Sequence, residues 1–167
     1  MLTDKKSAVI VQGVLTEPFF DLLVGRNPKD VVVMEGRPSL RALDTSCPAL
    51  LERGVTPIVI ADNMAGFLFA RNLVKEVWLA CRNSDSAGVL CEIGALVLAV
   101  LARRHKVPVY CFSTTGSTTF LGKPGELFKF RDVRVAASGV TAYVPLWEWV
   151  PRKYVRKVYE RTNGHRR

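Results

Sequence analysis

A chain of 167 residues, 49% hydrophobic and 23% charged, has the make-up of one soluble globular domain and can bury roughly two thirds of its unfolded surface. No stretch of about 20 apolar residues runs free of charges or helix breakers, which excludes a membrane-spanning helix. The net charge of +9 leans toward acidic partners. Much of it sits at the C-terminal end, where PRKYVRKVYERTNGHRR carries seven Lys/Arg against one Glu.

Strands and helices alternate along the chain. SAVIVQG (7–13) reads as a strand. A helix follows over 15–25, with Thr16 as cap, Pro18 in the first turn and Gly25 as stop. DVVVME (30–35) is the second strand. Residues 39–53 show helical apolar spacing that Pro48 kinks or breaks, and Gly54 ends it. TPIVIA (56–61) is the third strand, and DNMAGFLFARNL a short helix capped by Asp62 or Asn63. EVWLAC (76–81) is the fourth strand. CEIGALVLAVLARRH (91–105) is an apolar helix with its basic residues at the C-terminal end, and VPVYCFS (107–113) is the fifth strand. Residues 114–150 are loop-rich with a strand near RVAA or TAYV, and 151–161 read as a basic helix behind Pro151. Unbroken β-branched runs imply strands covered on both faces. With helices between them, the expectation is an α/β fold: a single-domain, doubly wound, Rossmann-like parallel sheet with helices on both faces.

In such sheets ligands bind beyond the carboxyl ends of the strands, and polar chemistry collects there. The rim comprises Gln12-Gly13, Glu35-Gly36-Arg37, Asp62-Asn63, Arg82-Asn83-Ser84-Asp85, and a Ser/Thr/Gly stretch from Ser113 through Thr114 to Thr119. Arginine forks match phosphate oxygens, carboxylates and carboxamides bind hydroxyls, and a Ser/Thr/Gly loop offers N–H groups to an anion. The rim suits a polyol phosphate. The same residues also have structural uses: Arg37 can pair with Glu35, and Asp62 can cap a helix. Neither GxGxxG nor GxxxxGK[ST] is present, which argues against a dinucleotide fold and an NTPase, and no cofactor is expected. Cys47, Cys81, Cys91 and Cys111 form no CxxC pair and lie apart from histidines at metal spacing; they read as buried reduced thiols, with no metal site expected. The N-terminus, MLTDKKSAVIVQGV, has no long apolar region of the signal-peptide kind, so the expected location is cytoplasmic.

The chain resembles the C-terminal domain shared by methylthioribose-1-phosphate isomerase, ribose-1,5-bisphosphate isomerase and the alpha, beta and delta subunits of translation initiation factor 2B. Four stretches carry the resemblance in order: VVVMEGRP, LLERGVTPIVIADNMAGFLFA, CEIGALVLAVLARRHKVPVYCFS and VPLWEWVPRKYVRKVYERTNG. The family's isomerases place a cysteine after the first strand, an aspartate after the fourth and an Asn-Lys pair before the long helix. Here those places hold VIVQGVLTE without cysteine, Arg82, and Cys91-Glu92. The resemblance implies a dimeric architecture and three readings of function. The first is a non-canonical binding or regulatory module for a phosphorylated sugar or nucleotide, with Gly13, Glu35, Arg37, Asp62, Asn63, Arg82 and Thr114 at the site. The second is a divergent aldose–ketose isomerase with Asp85 or Glu92 as base and Cys81 or Cys91 as partner. The third is a translation-related protein or RNA interaction module that uses the basic C-terminus.

Overall fold

The computed structural model describes residues 2–115 and 119–160. The first half follows the expected alternation. Strand β1 (Ala8–Gln12) leads to helix α1 (Glu17–Gly25), strand β2 (Asp30–Met34), helix α2 (Cys47–Leu51) and strand β3 (Ile58–Ile60). Helix α3 (Ala65–Ala70) and strand β4 (Val74–Ser84) follow. Pro48 does interrupt its helix. Residues Ala42–Ser46 form a π-helical turn, and Pro48 occupies the first turn of α2 behind it, where its missing N–H leaves no bond unmade.

The second half departs from expectation. The stretch GVLCE, whose end reads in sequence as the start of the long helix, is strand β5 (Gly88–Glu92). Helix α4 begins only at Ala95 and runs to Arg104. Gly94, with φ +95°, makes the break, a backbone angle that suits glycine. Strand β6 is Val109–Ser113, and α5 (Pro124–Leu127) precedes a small hairpin of β7 (Lys129–Phe130) and β8 (Val133–Arg134). β8 touches the RVAA stretch, whereas TAYV forms no strand beyond its flanking Pro145–Leu121 bridge. Strand β9 is Trp147–Pro151. The expected basic helix over 151–161 is absent from its described part: Arg152–Tyr154 is one 3-10 turn and Lys157–Tyr159 is strand β10. Here tertiary pairing overrides local helix preference, because β10 hydrogen-bonds to β6 as the next strand of the sheet. Residue 161 lies outside the described residues.

Six strands are mutually parallel in the order β10-β6-β4-β1-β2-β3. The sheet is nonetheless mixed. β1 and β4 pair as far as Gln12–Leu79, with a register shift between Ala8 and Val9, and β4 then continues past Cys81 and pairs antiparallel with β5, which pairs antiparallel with β9. Gly88 permits this: a Cβ there would lie 2.4 Å from the Val150 carbonyl oxygen.

Alternate residues of the central strands feed two cores. Ala8, Ile10, Val32, Met34, Val77 and Leu79 face one side and pack with Leu68 and Phe69 of α3 and Leu98, Ala99 and Ala102 of α4. Val9, Val11, Val31, Val33, Trp78 and Ala80 face the other and pack with Phe19, Phe20 and Leu23 of α1 and Leu50 of α2. Each fully buried large apolar side chain contributes about 1.5–3 kcal/mol, so both faces stay closed and polar chemistry is left to the strand ends.

Candidate functional site

The carboxyl end of β2 is fastened before it reaches solvent. Glu35 N–H donates to the Ile60 carbonyl (3.0 Å). Gly36 then turns with φ +74°. The next two backbone N–H groups, of Gly36 and Arg37, both donate to the Asp62 carboxylate, at 3.0 and 2.7 Å. Asp62 therefore makes no side-chain cap for its own helical turn; it stitches the β2 exit to the β3 exit. Among the described residues Arg37 enters no ion pair with an acid either. Its guanidinium donates to the carbonyls of Lys129 and Leu127, both at 2.9 Å, and lies 5.4 Å from the Phe130 ring centre. Arg37 thus clasps the lobe of α5 and β7–β8 onto the strand ends, and an Arg131–Asp44 ion pair of 2.8 Å makes a second clasp.

Between this lobe and the sheet lies a cleft of about 850 Å³. Its basic side chains are Arg37, Arg41, Lys123, Lys129 and Arg131, and its acids are Asp44, Glu92, Glu126 and Asp132. Arg41 is exposed and enters no ion pair among the described residues. Glu92 lines it as well. Burial pushes its carboxyl above the usual range; Arg41 draws it back, Asp62 adds to the rise, and a hydrogen bond from the Val14 backbone opposes it. Its main chain is held by Gln12, which is 2% exposed and whose amide Nε2 donates to the carbonyls of Glu92 (3.3 Å) and Ile93 (3.0 Å). Gly13 sits beneath: a Cβ there, at φ +80°, would come within 2.9 Å of Ala80 Cβ and 3.4 Å of Glu92 Cδ. Burial, then the Asp62 charge, raises the Glu35 carboxyl against the pull of Arg37.

Of the residues singled out in the sequence, Arg37 and Glu92 line the cleft. Gly13, Glu35 and Asp62 support its floor through the contacts just given. The rest lie elsewhere. Arg82 belongs to β4 rather than to a loop; it stacks over Trp147 at 5.4 Å, behind the wall that Trp147 gives the cleft. Thr114 donates its hydroxyl and its N–H to the Cys81 carbonyl. Asn63 is exposed beyond β3. Asp85 caps the β4–β5 turn by accepting from Ala87 and Gly88 N–H. Cys81 and Cys91 face each other across β4 and β5 in the core, 1% and 0% exposed. A hydrogen bond to Cys111 and then burial push the Cys81 thiol far up, so it stays protonated and unreactive. Gly116, Ser117 and Thr118 of the Ser/Thr stretch lie outside the described residues. Among the described residues no three His, Cys, Asp or Glu side chains cluster as a metal site, and no helix is long and apolar enough to cross a membrane.

Sequence reasoning missed Arg41, Lys123, Lys129 and Arg131. The last three lie in the loop-rich segment after the fifth strand, where no periodic pattern marks them. Its run of basic residues at 123, 129, 131 and 134 was the available signal.

The architecture has close counterparts. It superposes on the methylthioribose-1-phosphate isomerase of Pyrococcus horikoshii OT3 with a TM-score of 0.80 at 20% identity, over 92% of this chain and 49% of that one. The delta subunit of translation initiation factor eIF-2B from A. fulgidus gives 0.79 at 19% identity, over 94% and 52%. In sequence, the methylthioribose-1-phosphate isomerase of Desulforudis audaxviator is 35% identical over 141 residues, covering 76% of this chain and 40% of that protein. That of Chloroflexus aurantiacus is 30% identical over 158 residues, covering 87% and 46%. The chain thus spans less than half the length of these curated relatives. The model of the initiation factor 2 subunit family matches residues 13–159, and with these likenesses it establishes that the chain belongs to that family.

Proposed function

We propose that the strand-end cleft binds a phosphorylated sugar and that the chain works as a binding or regulatory module of its family. The observation that carries this reading is the make-up of the cleft: Arg41, which enters no ion pair among the described residues, lines it together with Lys123, Lys129, Arg131 and the half-buried Glu92 carboxyl. Clustered cations suit a phosphate, and a carboxyl suits sugar hydroxyls. The Desulforudis and Chloroflexus relatives are methylthioribose-1-phosphate isomerases, which supports the same class of ligand. Pairing with a second copy, implied by the resemblance, finds support in the exposed apolar side chains Met64 and Phe67 near and on α3, and Val97 and Val100 on α4.

A second reading, a divergent isomerase, draws on one observation. Glu92 is a carboxyl that lines the cleft with its proton affinity raised, as a group that shuttles a proton between neighbouring carbons requires. It takes over the base role from Asp85, which is occupied in a turn.

The test is a thermal-shift panel of pentose phosphates, methylthioribose 1-phosphate, ribose 1,5-bisphosphate and nucleotides on wild type and Arg41→Ala. A ligand at 100 times its dissociation constant adds about 2.7 kcal/mol, or about 5–11 °C for a domain of this size. A shift with a sugar phosphate that shrinks in Arg41→Ala is the expected result. No shift with any compound refutes the binding reading. Turnover of a binding compound that Glu92→Gln abolishes selects the isomerase instead.

A further inference from the structure

A second concentration of positive charge among the described residues lies outside the cleft. At the opposite end of the strands, where β6 begins, a shallow groove of about 440 Å³ runs between the end of α4 and the 3-10 turn before β10. Arg103 and Lys106 line one wall, Lys153 and Arg156 the other, and no acidic side chain lines it. The walls are joined: Arg103 Nη1 donates to the Lys153 carbonyl (3.2 Å), and Arg156 N–H donates to the Val109 carbonyl (2.9 Å). Arg104, Arg152 and Lys157 extend the positive field in sequence and are exposed.

Several basic residues elsewhere are neutralised. Arg26 pairs with Glu76, Lys29 with Asp4, Arg53 with Glu17 and Asp21, and Arg131 with Asp44. Among the described residues none of the seven cations at this pole enters an ion pair; Lys153 and Lys157 only lie over the Tyr154 and Tyr159 rings. Arg103 and Arg104 have a local reason to be there, since they stand at the C-terminal end of α4 and complement its dipole. Arg152, Lys153, Arg156 and Lys157 have none. They come from a separate segment and add like-charge repulsion at a place the helix end has already filled.

We propose that this groove docks the sugar–phosphate backbone of a single-stranded nucleic acid. A protein partner would need apolar or aromatic anchors to bury, yet none of the large exposed apolar side chains lies in the groove. A surface whose charged side chains are all cationic is the make-up of a phosphate-backbone interface. This inference is independent of the phosphosugar reading of the cleft.

Fluorescence anisotropy of the full chain with a labelled oligouridine tests it. Four phosphate contacts predict a slope of log affinity against log salt of about −3, so binding falls about 50-fold between 50 and 200 mM salt. The double variant Lys153→Glu/Arg156→Glu, altered at two exposed positions, is expected to lose most of the affinity at 50 mM salt while melting with the wild type. The neutral single changes Lys153→Gln and Arg156→Gln, which ask less of the fold, should each lower the slope by about 0.7. Absence of binding at 50 mM salt, a salt-insensitive affinity, or unchanged affinity in the variants overturns the proposal. Polyglutamate bound more tightly than the RNA would also overturn it and assign the groove to an acidic protein.

Discussion

Asp62 carries the most specific structural claim about the cleft, because one carboxylate holds the main chain of Gly36 and Arg37 at 3.0 and 2.7 Å. Replacing it by asparagine keeps the shape. One oxygen still accepts an N–H, but the new NH2 faces the other donor and cannot accept from it. The loss is one charge-assisted hydrogen bond, about 1.5–3 kcal/mol. The site is partly open to water, so the lower end applies, about 1.5–2 kcal/mol. For a domain of this size that lowers the melting midpoint by about 3–8 °C. Urea titration followed by tryptophan fluorescence reads it well, since Trp78 is fully buried and stacked on Phe112 at 4.2 Å. The adjacent, exposed Asn63 supplies the control: Asn63→Ala should fall within about 0.5 kcal/mol of wild type. An Asp62→Asn protein as stable as Asn63→Ala, with the same m-value, would refute the view that this carboxylate pins the β2 exit.

Two further outcomes follow from the geometry. A carboxyl whose folded pKa is raised keeps its proton longer in the folded than in the unfolded chain, so stability declines as pH rises above the ordinary glutamate value of 4.5. Glu92→Gln removes that part of the decline: melts should match wild type near pH 4 and exceed it at pH 7, and a variant less stable at pH 7 contradicts the burial of Glu92. Gly88→Ala places a methyl 2.4 Å from the Val150 oxygen and should cost about 1–3 kcal/mol in chemical denaturation, whereas Gly66→Ala, in open space on α3, should stabilise by about 0.5–1 kcal/mol.

The sequence by itself determined the doubly covered core. Val31–Val33 and Val9–Val11 have no polar alternation, and such strands fold only when both faces are buried, which requires helices on each side. It also marked the rim, since Glu35, Arg37 and Asp62 are charges that a buried strand can present only at its end. It did not determine what those charges do. Arg37 clasps the α5–β7–β8 lobe because carbonyls of Leu127 and Lys129, some 90 residues away, reach it before any acid does. Local pattern likewise misread Cys91–Glu92 and Lys157–Tyr159 as helix and missed the strand at Gly88–Leu90, since strand pairing with β9 and β6 is an interaction between distant segments that no window of neighbouring residues contains. Only the tertiary structure, by folding the lobe against the strand ends, brought Arg41, Lys129, Arg131 and Glu92 to one cleft. Each is an ordinary surface charge until main-chain hydrogen bonds from far along the chain set it opposite the others.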